Sequence, residues 1–369
     1  MNTTNDVRAM LVESATRLFA DHVDQKMLDA AKRDGWSQKL WQVLEQAELP
    51  RVSIPEELGG AGGTLSDAAA VLRVAGRYCA PVPLAETGML AGWMLAGSGL
   101  AVPRGPLAAG PVHDETLTAR RDGGRWIISG KLARVPWARM AGRLVLLARN
   151  GDRDLVASVD PAQCKITPGR NLANEPRDEV ALEDVVLPAA DAVPAGAGVT
   201  REMLHYRGAL ARSIAMAGAL ERALELSVAY AQQRVQFGRK IGQFQAIQQE
   251  LARFAGEVAA AVAAALSAAG VLERHAAGKA GHEDAMLAVA TAKIRAAQAA
   301  HEGALIAHQV HGAIGVTDEY ALHHSTLRLW AWREEFGNEA GWAMALGRAM
   351  HARGADKLWM ALTINQEKT

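Results

Sequence analysis

The apolar residues at the start of the chain recur at the spacing of a helix. When they are placed at 3.6 residues per turn, one stripe comprises Val7, Met10, Leu11, Leu18 and Phe19. A proline- and glycine-rich loop, SIPEELGGAGG, separates this stripe from a second helical pattern. Residues 1–105 are therefore predicted to form a helical domain.

Between residues 106 and 200 the pattern changes to short apolar runs. RWIISG, RLVLLAR and DLVASVD are rich in Val, Ile and Leu, and turn sequences such as RDGG and NGDRD separate them. Short strands divided by turns are typical of a small antiparallel β-domain, either a barrel or a sandwich.

From residue 201 to residue 369 the helical period returns. Four long apolar segments cover about 201–234, 243–275, 282–311 and 327–352. Four antiparallel helices of this length form a bundle, so the predicted fold is mainly α with a central β-domain. No strand is followed by a GxGxxG loop and a helix, which argues against a nicotinamide-binding Rossmann unit.

Composition excludes several classes of function. The chain has 369 residues, enough for two or three domains, and its formal net charge of zero implies no general affinity for nucleic acid or anionic membranes. The alanine-rich run at 258–269 is too short to span a bilayer, so no membrane is expected. Cys79 and Cys164 lie far apart, which favours a reducing cytoplasm over a disulfide framework.

The segment RVQFGRKIGQFQ interrupts two predicted helices with glycines, aromatic rings and positive charge. Gly238 and Gly242 suit a helix end and the next helix start. Phe237, Ile241 and Phe244 would plug the end of the bundle on the simplest interpretation. On the second interpretation, a guanidinium group and side-chain amides are added to these rings, and the set suits an anionic ligand with aromatic rings. These additional residues are Arg234, Gln236 and Gln245.

A second glycine-marked corner, QVHGAIGVTDEY, ends the third bundle helix. Gly312 and Gly315 would let the backbone approach a ligand closely, or would simply end the helix. The two corners could meet at one end of a bundle or across a dimer interface.

The segments AYAQQRVQFGRKIGQFQAIQQELA and HQVHGAIGVTDEY resemble the acyl-CoA dehydrogenase family in their order and spacing, and the arrangement of helices, β-domain and bundle resembles it over nearly the whole chain. The resemblance implies FAD-dependent α,β-desaturation of an acyl-CoA thioester, by α-proton abstraction and β-hydride transfer to the flavin. It also implies a homodimer or homotetramer, with an electron-transfer flavoprotein as the electron acceptor.

The resemblance also assigns roles to residues. In this family the first corner contacts FAD that is bound mainly by a neighbouring subunit, so Arg234 would face the pyrophosphate. The adenosine side would be lined by Gln236, Phe237, Ile241, Phe244 and Gln245, with Gln309, Gly312 and Ala313 completing that wall.

The expected flavin-ring sequences of the family are absent from the β-domain. Where a Trp-Ile-Thr/Ser strand is expected, the nearest counterparts are Ala133, Val135 and Pro136, with Trp137 just beyond. Backbone groups around Val135 could still bind the flavin ring. Trp137 could stack on that ring or belong to the core.

The catalytic base is the second feature in which this chain departs from the family pattern. Removal of the α-proton requires a carboxylate over Cα, but the usual family position falls on Phe336 and the alternative position falls near Gly208. If the backbone is irregular near Gly337, Glu335 is the predicted base, ahead of Glu334 and Glu339. Otherwise the chain is the base-lacking partner subunit of a heteromeric enzyme, or a flavin-free helical scaffold.

Three further residues have side chains that could bind a ligand. A buried Arg212 would need an anionic partner, either a structural carboxylate or a group of the substrate. His323 and His324 are adjacent, so on a helix they point in different directions, and the spacing shows no third ligand. No metal site is therefore predicted.

Overall fold

The computed structural model describes residues 3–354 and 356, apart from residue 114, and for residues 3–5 it describes the backbone alone. The first region consists of α1 (Thr3–His22), α2 (Gln25–Asp34), α3 (Gln38–Gln46), α4 (Leu65–Arg77), and a π-helical segment (Ala85–Gly92) that continues into α5 (Trp93–Gly97). The predicted stripe on α1 is wrong at its start, because Val7 and Met10 are 63% and 70% exposed. The helix packs into the core from Leu11 onward, with Phe19 fully buried.

The central region is one mixed sheet. Its strands are β1 (Leu107–Gly110), β2 (Leu117–Asp122), β3 (Arg125–Pro136), β4 (Arg143–Asn150), β5 (Arg153–Val159), β6 (Lys165–Thr167), β7 (Arg177–Leu187) and β8 (Ala192–Pro194). The order is β6-β7-β3-β2-β4-β5-β8, with β1 also paired to β4.

The predicted antiparallel β-domain is present as a mixed sheet, because β1 and β2 run parallel to β4. The chain reverses after β2 and again after β3. Strand β4 therefore lies on the opposite side of β2 from β3 and runs in the same direction as β2.

The third region contains α6 (Arg201–Gln233), α7 (Gln245–Ala276), α8 (His282–His311), α9 (Leu322–Arg333) and α10 (Glu339–Arg353). The predicted fourth helix is thus two helices. They are separated where Phe336 and Gly337 adopt left-handed backbone angles, with φ of 53° and 85°. Residues 357–369 of the predicted C-terminal domain lie outside the described residues.

Close contact between α4 and α6 joins the first region to the bundle. A Cβ atom on Gly76 would overlap the carbonyl of Ala215, and one on Gly218 would overlap the carbonyl of Arg73. The two helices therefore pack backbone to backbone. This contact brings the π-helical segment beside α6, where the site described below lies.

Within the described residues, α7 is long and apolar enough to cross a membrane by length and composition. A core helix of a soluble protein meets the same criterion. Phe254, Val258 and Ala261 of α7 are buried in the bundle. Its opposite face carries exposed small residues such as Ala252 and Ala259.

Candidate active site and cofactor corner

The segment after α6 is a tight hairpin, here called the corner hairpin (residues 234–245). Val235–Gln236 pairs with Arg239–Lys240, and the two residues between them, Phe237 and Gly238, have φ of 53° and 76°. Positive φ at both positions is typical of a two-residue hairpin turn. Phe237 is 92% exposed, so it does not plug the bundle end as the simplest interpretation proposed.

The second corner lies at the same end of the bundle. The chain leaves α8 at Gly312, whose φ is 63°, and forms a short 3₁₀ turn through Val316. The ring of Tyr230, near the end of α6, stacks on His311 at 4.6 Å and meets Tyr320 edge-on at 6.0 Å. The two corners are therefore joined within one chain by aromatic contacts.

The residues predicted to bind the adenosine side of FAD lie on the outside of the chain. Ile241 and Phe244 are half-buried, and the exposed members are Arg234, Gln236, Phe237, Gln245, Gln309, Gly312 and Ala313. Phe237 and Phe244 meet edge to face at 6.2 Å, and the Arg239 guanidinium lies over the Phe244 ring at 4.1 Å. An exposed surface of cations, amides and aromatic rings has the chemistry to bind a pyrophosphate and an adenine ring.

The residues predicted to hold the flavin ring have few groups available to bind it. The Ala133 N–H already donates to Glu115 Oε1 at 3.0 Å, and proline at 136 has no N–H to donate. Val135 is fully buried in the β-domain core, so its side chain does not reach the cleft. Trp137, which is 3% exposed, packs as a core residue.

Trp137 also lines the cleft between the sheet, α4 and α6, which encloses only about 30 Å³. Pockets for ligands of drug size usually hold about 300–1,000 Å³. A tricyclic flavin ring therefore does not fit this cleft.

The two positions at which the family carries its base meet in space, and neither is acidic. Phe336 is 2% exposed, and its ring lies directly on Gly208 of α6. A Cβ atom on Gly208 would overlap that ring. Glycine at 208 is therefore needed to accommodate the phenylalanine, and no carboxylate occupies either position.

Glu335 points away from Phe336 into a set of arginines. Arg177 donates from Nε to Oε1 at 2.7 Å and from Nη2 to Oε2 at 3.0 Å, and Arg212 Nε donates to Oε2 at 2.6 Å. Burial would raise the pKa of Glu335, but the two guanidinium groups lower it to about 2. A general base needs a pKa near the working pH, and a carboxylate held by two guanidinium groups is poorly suited to that role.

Glu335 belongs to a larger buried arrangement, here called the ion-pair network. Its members are Glu86, Glu175, Arg177, Arg212, Arg328 and Glu335. Arg212 bridges Glu335 and Glu86, the latter at 2.6 Å, so its predicted anionic partner is structural. The three carboxylates balance the three guanidinium groups, as buried charges require.

Four members of the network were missed by sequence reasoning. The missed residues are Glu86, Glu175, Arg177 and Arg328. They come from the π-helical segment, the start of β7 and α9, and no spacing in the sequence connects these segments. The charged stretch NEPRDE was a weak signal, but charge runs are usually solvated.

The other acids near the break between α9 and α10 are also paired. Glu334 keeps 55% of its side chain exposed, and Glu339 pairs with Arg333 at the start of α10. Buried Lys293 donates from Nζ to the carbonyls of Trp332 and Arg333 at 3.2 and 2.7 Å, which holds the end of α9. Burial lowers the pKa of Lys293 to about 7.

Known proteins match this chain in both sequence and fold. The family models for the acyl-CoA dehydrogenase N-terminal and C-terminal domains match residues 5–101 and 195–351. Acyl-CoA dehydrogenase IpdE2 of Mycobacterium tuberculosis is 31% identical over 333 residues, covering 87% of this chain and 90% of that protein.

Two solved structures have the same fold. A point variant of the steroid ACAD Tcur3481-Tcur3483 superposes with a TM-score of 0.82 at 25% identity, covering 96% of this chain and 99% of that chain. The ChsE4-ChsE5 complex of Mycobacterium tuberculosis gives a TM-score of 0.80 at 24% identity, with 94% and 97% coverage. The matched domains, the relative and the two corners lead to one conclusion: this chain belongs to the acyl-CoA dehydrogenase family of oxidoreductases, which act on CH–CH donors.

Proposed function

We propose that this chain is the base-lacking subunit of a heteromeric, FAD-dependent acyl-CoA dehydrogenase. The observation that carries this proposal is the packing of Phe336 on Gly208, because it leaves both positions of the family's base without an acid. The ion-pair network supports it, since Glu335 is held by Arg177 and Arg212. The homomeric alternative would need a base that none of the described acids near the break between α9 and α10 supplies.

In this proposal the chain contributes a surface to the active site of its partner. Arg234 pairs with the pyrophosphate, the rings of Phe237 and Phe244 flank the adenine, and Gln236 and Gln309 offer amides. When bound, FAD would supply the acceptor for the β-hydride of the acyl-CoA, and the carboxylate that removes the α-proton would come from the partner. The ion-pair network keeps this chain's own cleft closed.

The relatives support a heteromer and suggest where to begin with substrates. The ChsE4-ChsE5 complex joins two different proteins, and the Tcur3481-Tcur3483 protein is a steroid ACAD. Thioesters of steroid side chains are therefore the first acyl-CoA class to test, followed by straight-chain and branched thioesters. An electron-transfer flavoprotein is the proposed acceptor.

The test compares the chain alone with the chain co-expressed beside base-carrying family members of the same organism. We expect the chain alone to show no acyl-CoA-dependent bleaching of flavin absorbance. The heteromer should bind fewer FAD molecules than it has chains and should bleach. Bleaching by the chain alone, abolished in Glu335→Gln, would instead establish a homomeric enzyme. The absence of FAD from both preparations would favour the scaffold.

A further inference from the structure

A cluster of metal-ligating side chains lies where α2 meets the start of α9, outside both the cleft and the corner hairpin. Asp29 on α2 and the adjacent residues His323 and His324 place their ligand atoms within 4.8 Å of one another. The two imidazole rings stack with centroids 3.9 Å apart instead of diverging. The third ligand that the sequence lacked thus comes from a helix almost 300 residues earlier.

Both imidazoles are buried and present a free nitrogen to this cluster. Their side chains are 7% and 5% exposed, and within the described part of the chain neither Nε2 atom makes a hydrogen bond. His323 donates from Nδ1 to the carbonyl of Tyr320 at 2.8 Å, which leaves the lone pair on Nε2. An imidazole such as that of His323, whose other nitrogen is fixed by a carbonyl, is a typical metal ligand.

Two carboxylates face these nitrogens. Asp29 Oδ1 lies 3.4 Å from His324 Nε2, and Asp318 Oδ1 lies 3.6 Å from His323 Nε2. The nearest cations already have partners. Lys32 pairs with Asp318 at 2.6 Å, and Arg328 pairs with Glu175 in the ion-pair network at 3.1 Å.

We propose that His323, His324 and Asp29 form a site for a divalent transition-metal ion of the Zn²⁺ class, with water or Asp318 as the fourth ligand. Imidazole and carboxylate ligands suit this ion. Ligand atoms around tetrahedral zinc lie about 3.3 Å apart, so binding draws the cluster inward. The Asp29 side chain is half-exposed on α2.

The position of the site defines its role. The ion would tie α2 of the first region to α9 of the bundle, beside residues 317–321, which follow the second corner. It would stabilise the contact between these regions and take no part in hydride transfer. This inference does not depend on the proposed function, because the site shares no residue with the cleft or the corner hairpin.

The experiment adds Zn²⁺ to chelator-treated full-length protein in a calorimeter and records the visible spectrum with Co²⁺. We expect one ion per chain and a rise in the unfolding temperature. His324→Gln and Asp29→Asn should each weaken binding by about tenfold or more. His282→Gln is the matched control, because His282 also lies near a carboxylate, Glu202 at 3.0 Å, but outside the site.

Three results would overturn the site. The first is the absence of stoichiometric binding by the parent protein. The second is unchanged binding in Asp29→Asn, and the third is an equal loss of binding in His282→Gln. Asp29→Asn alters a half-exposed side chain and is expected to fold, which urea unfolding of the metal-free variant checks. FAD binding should be unchanged in Asp29→Asn, so failure of this site is distinguishable from failure of the proposed function.

Discussion

The buried carboxylate of Glu335 pairs with two guanidinium groups, those of Arg177 and Arg212. Removing one partner of a buried ion pair leaves an uncompensated charge and costs about 3–5 kcal/mol. Glu335→Gln should therefore lower the free energy of unfolding by about 3 kcal/mol or more, measured by urea denaturation. Glu334→Gln removes a half-exposed carboxylate and is the matched control, with an expected change within about 0.5 kcal/mol. Equal stabilities for both variants would contradict the anchoring role.

The same carboxylate makes stability depend on pH in a defined window. Folding lowers its pKa from the ordinary value of 4.5 to about 2. The stabilisation is therefore fully present above about pH 4.5 and is lost as the pH falls towards 2. The difference in unfolding free energy between the parent and Glu335→Gln should be constant above about pH 5 and shrink below it. Urea titrations at a series of pH values measure this, and a difference that persists at the acidic end would refute the assignment.

The backbone around Glu335 could be predicted from the sequence, but the direction of its carboxylate could not. Gly337 predicted an irregular backbone, and the left-handed φ angles of Phe336 and Gly337 confirm it. The direction of the carboxylate could not be predicted, because it depends on Arg177 of β7, which is 158 residues away in sequence. Burial and pairing of that kind leave no periodic signal.

The contact between α6 and the break after α9 depends on the lack of a side chain at Gly208. Gly208→Ala would force its Cβ into the Phe336 ring, and overpacking of this kind costs about 1–3 kcal/mol. Adding Phe336→Leu should recover part of that loss, because the smaller side chain relieves the overlap. A double-mutant cycle in urea measures the coupling. Gly347→Ala on α10, where a Cβ meets nothing within 4 Å, is the control and should not destabilise the protein.

The limits of α6, α7 and α8 were predicted to within two residues, because their apolar residues repeat with the helical period over many turns. The fourth helix was predicted as one piece, since its polar break carries only one glycine. The parallel pairing of β1 and β2 with β4 was not predicted. The two-residue repeat of a strand indicates which face of the sheet each side chain takes, but not which strands lie side by side. Element type was therefore predictable where the repeat was long, and topology was not.

The exposed face of α7 is the surface on which we expect another chain to pack. Its residues include Ala252, Ala255, Ala259 and Ala263, all exposed in the single chain. Ala259→Glu would bury a charge in such an interface, so it should shift the protein towards monomer in sedimentation at micromolar concentration. Ala277→Glu, in the turn after α7, is the control and should leave the assembly unchanged. A parent protein that sediments as a monomer while loaded with FAD would contradict the proposed arrangement.

The assembled enzyme should depend on the corner hairpin for its cofactor. Arg234 lies on the outside of its own chain, where a pyrophosphate presented by the partner can reach it. A charge-assisted hydrogen bond of this kind contributes about 1.5–3 kcal/mol, which corresponds to about 10- to 150-fold in affinity. Arg234→Ala should weaken FAD retention by that factor while leaving urea stability unchanged, because the side chain is exposed. Arg253→Ala, on the exposed side of α7 beside Glu302, removes a similar charge and should retain FAD. If the Arg234→Ala heteromer holds FAD as tightly as the parent does, the corner hairpin is not the cofactor surface.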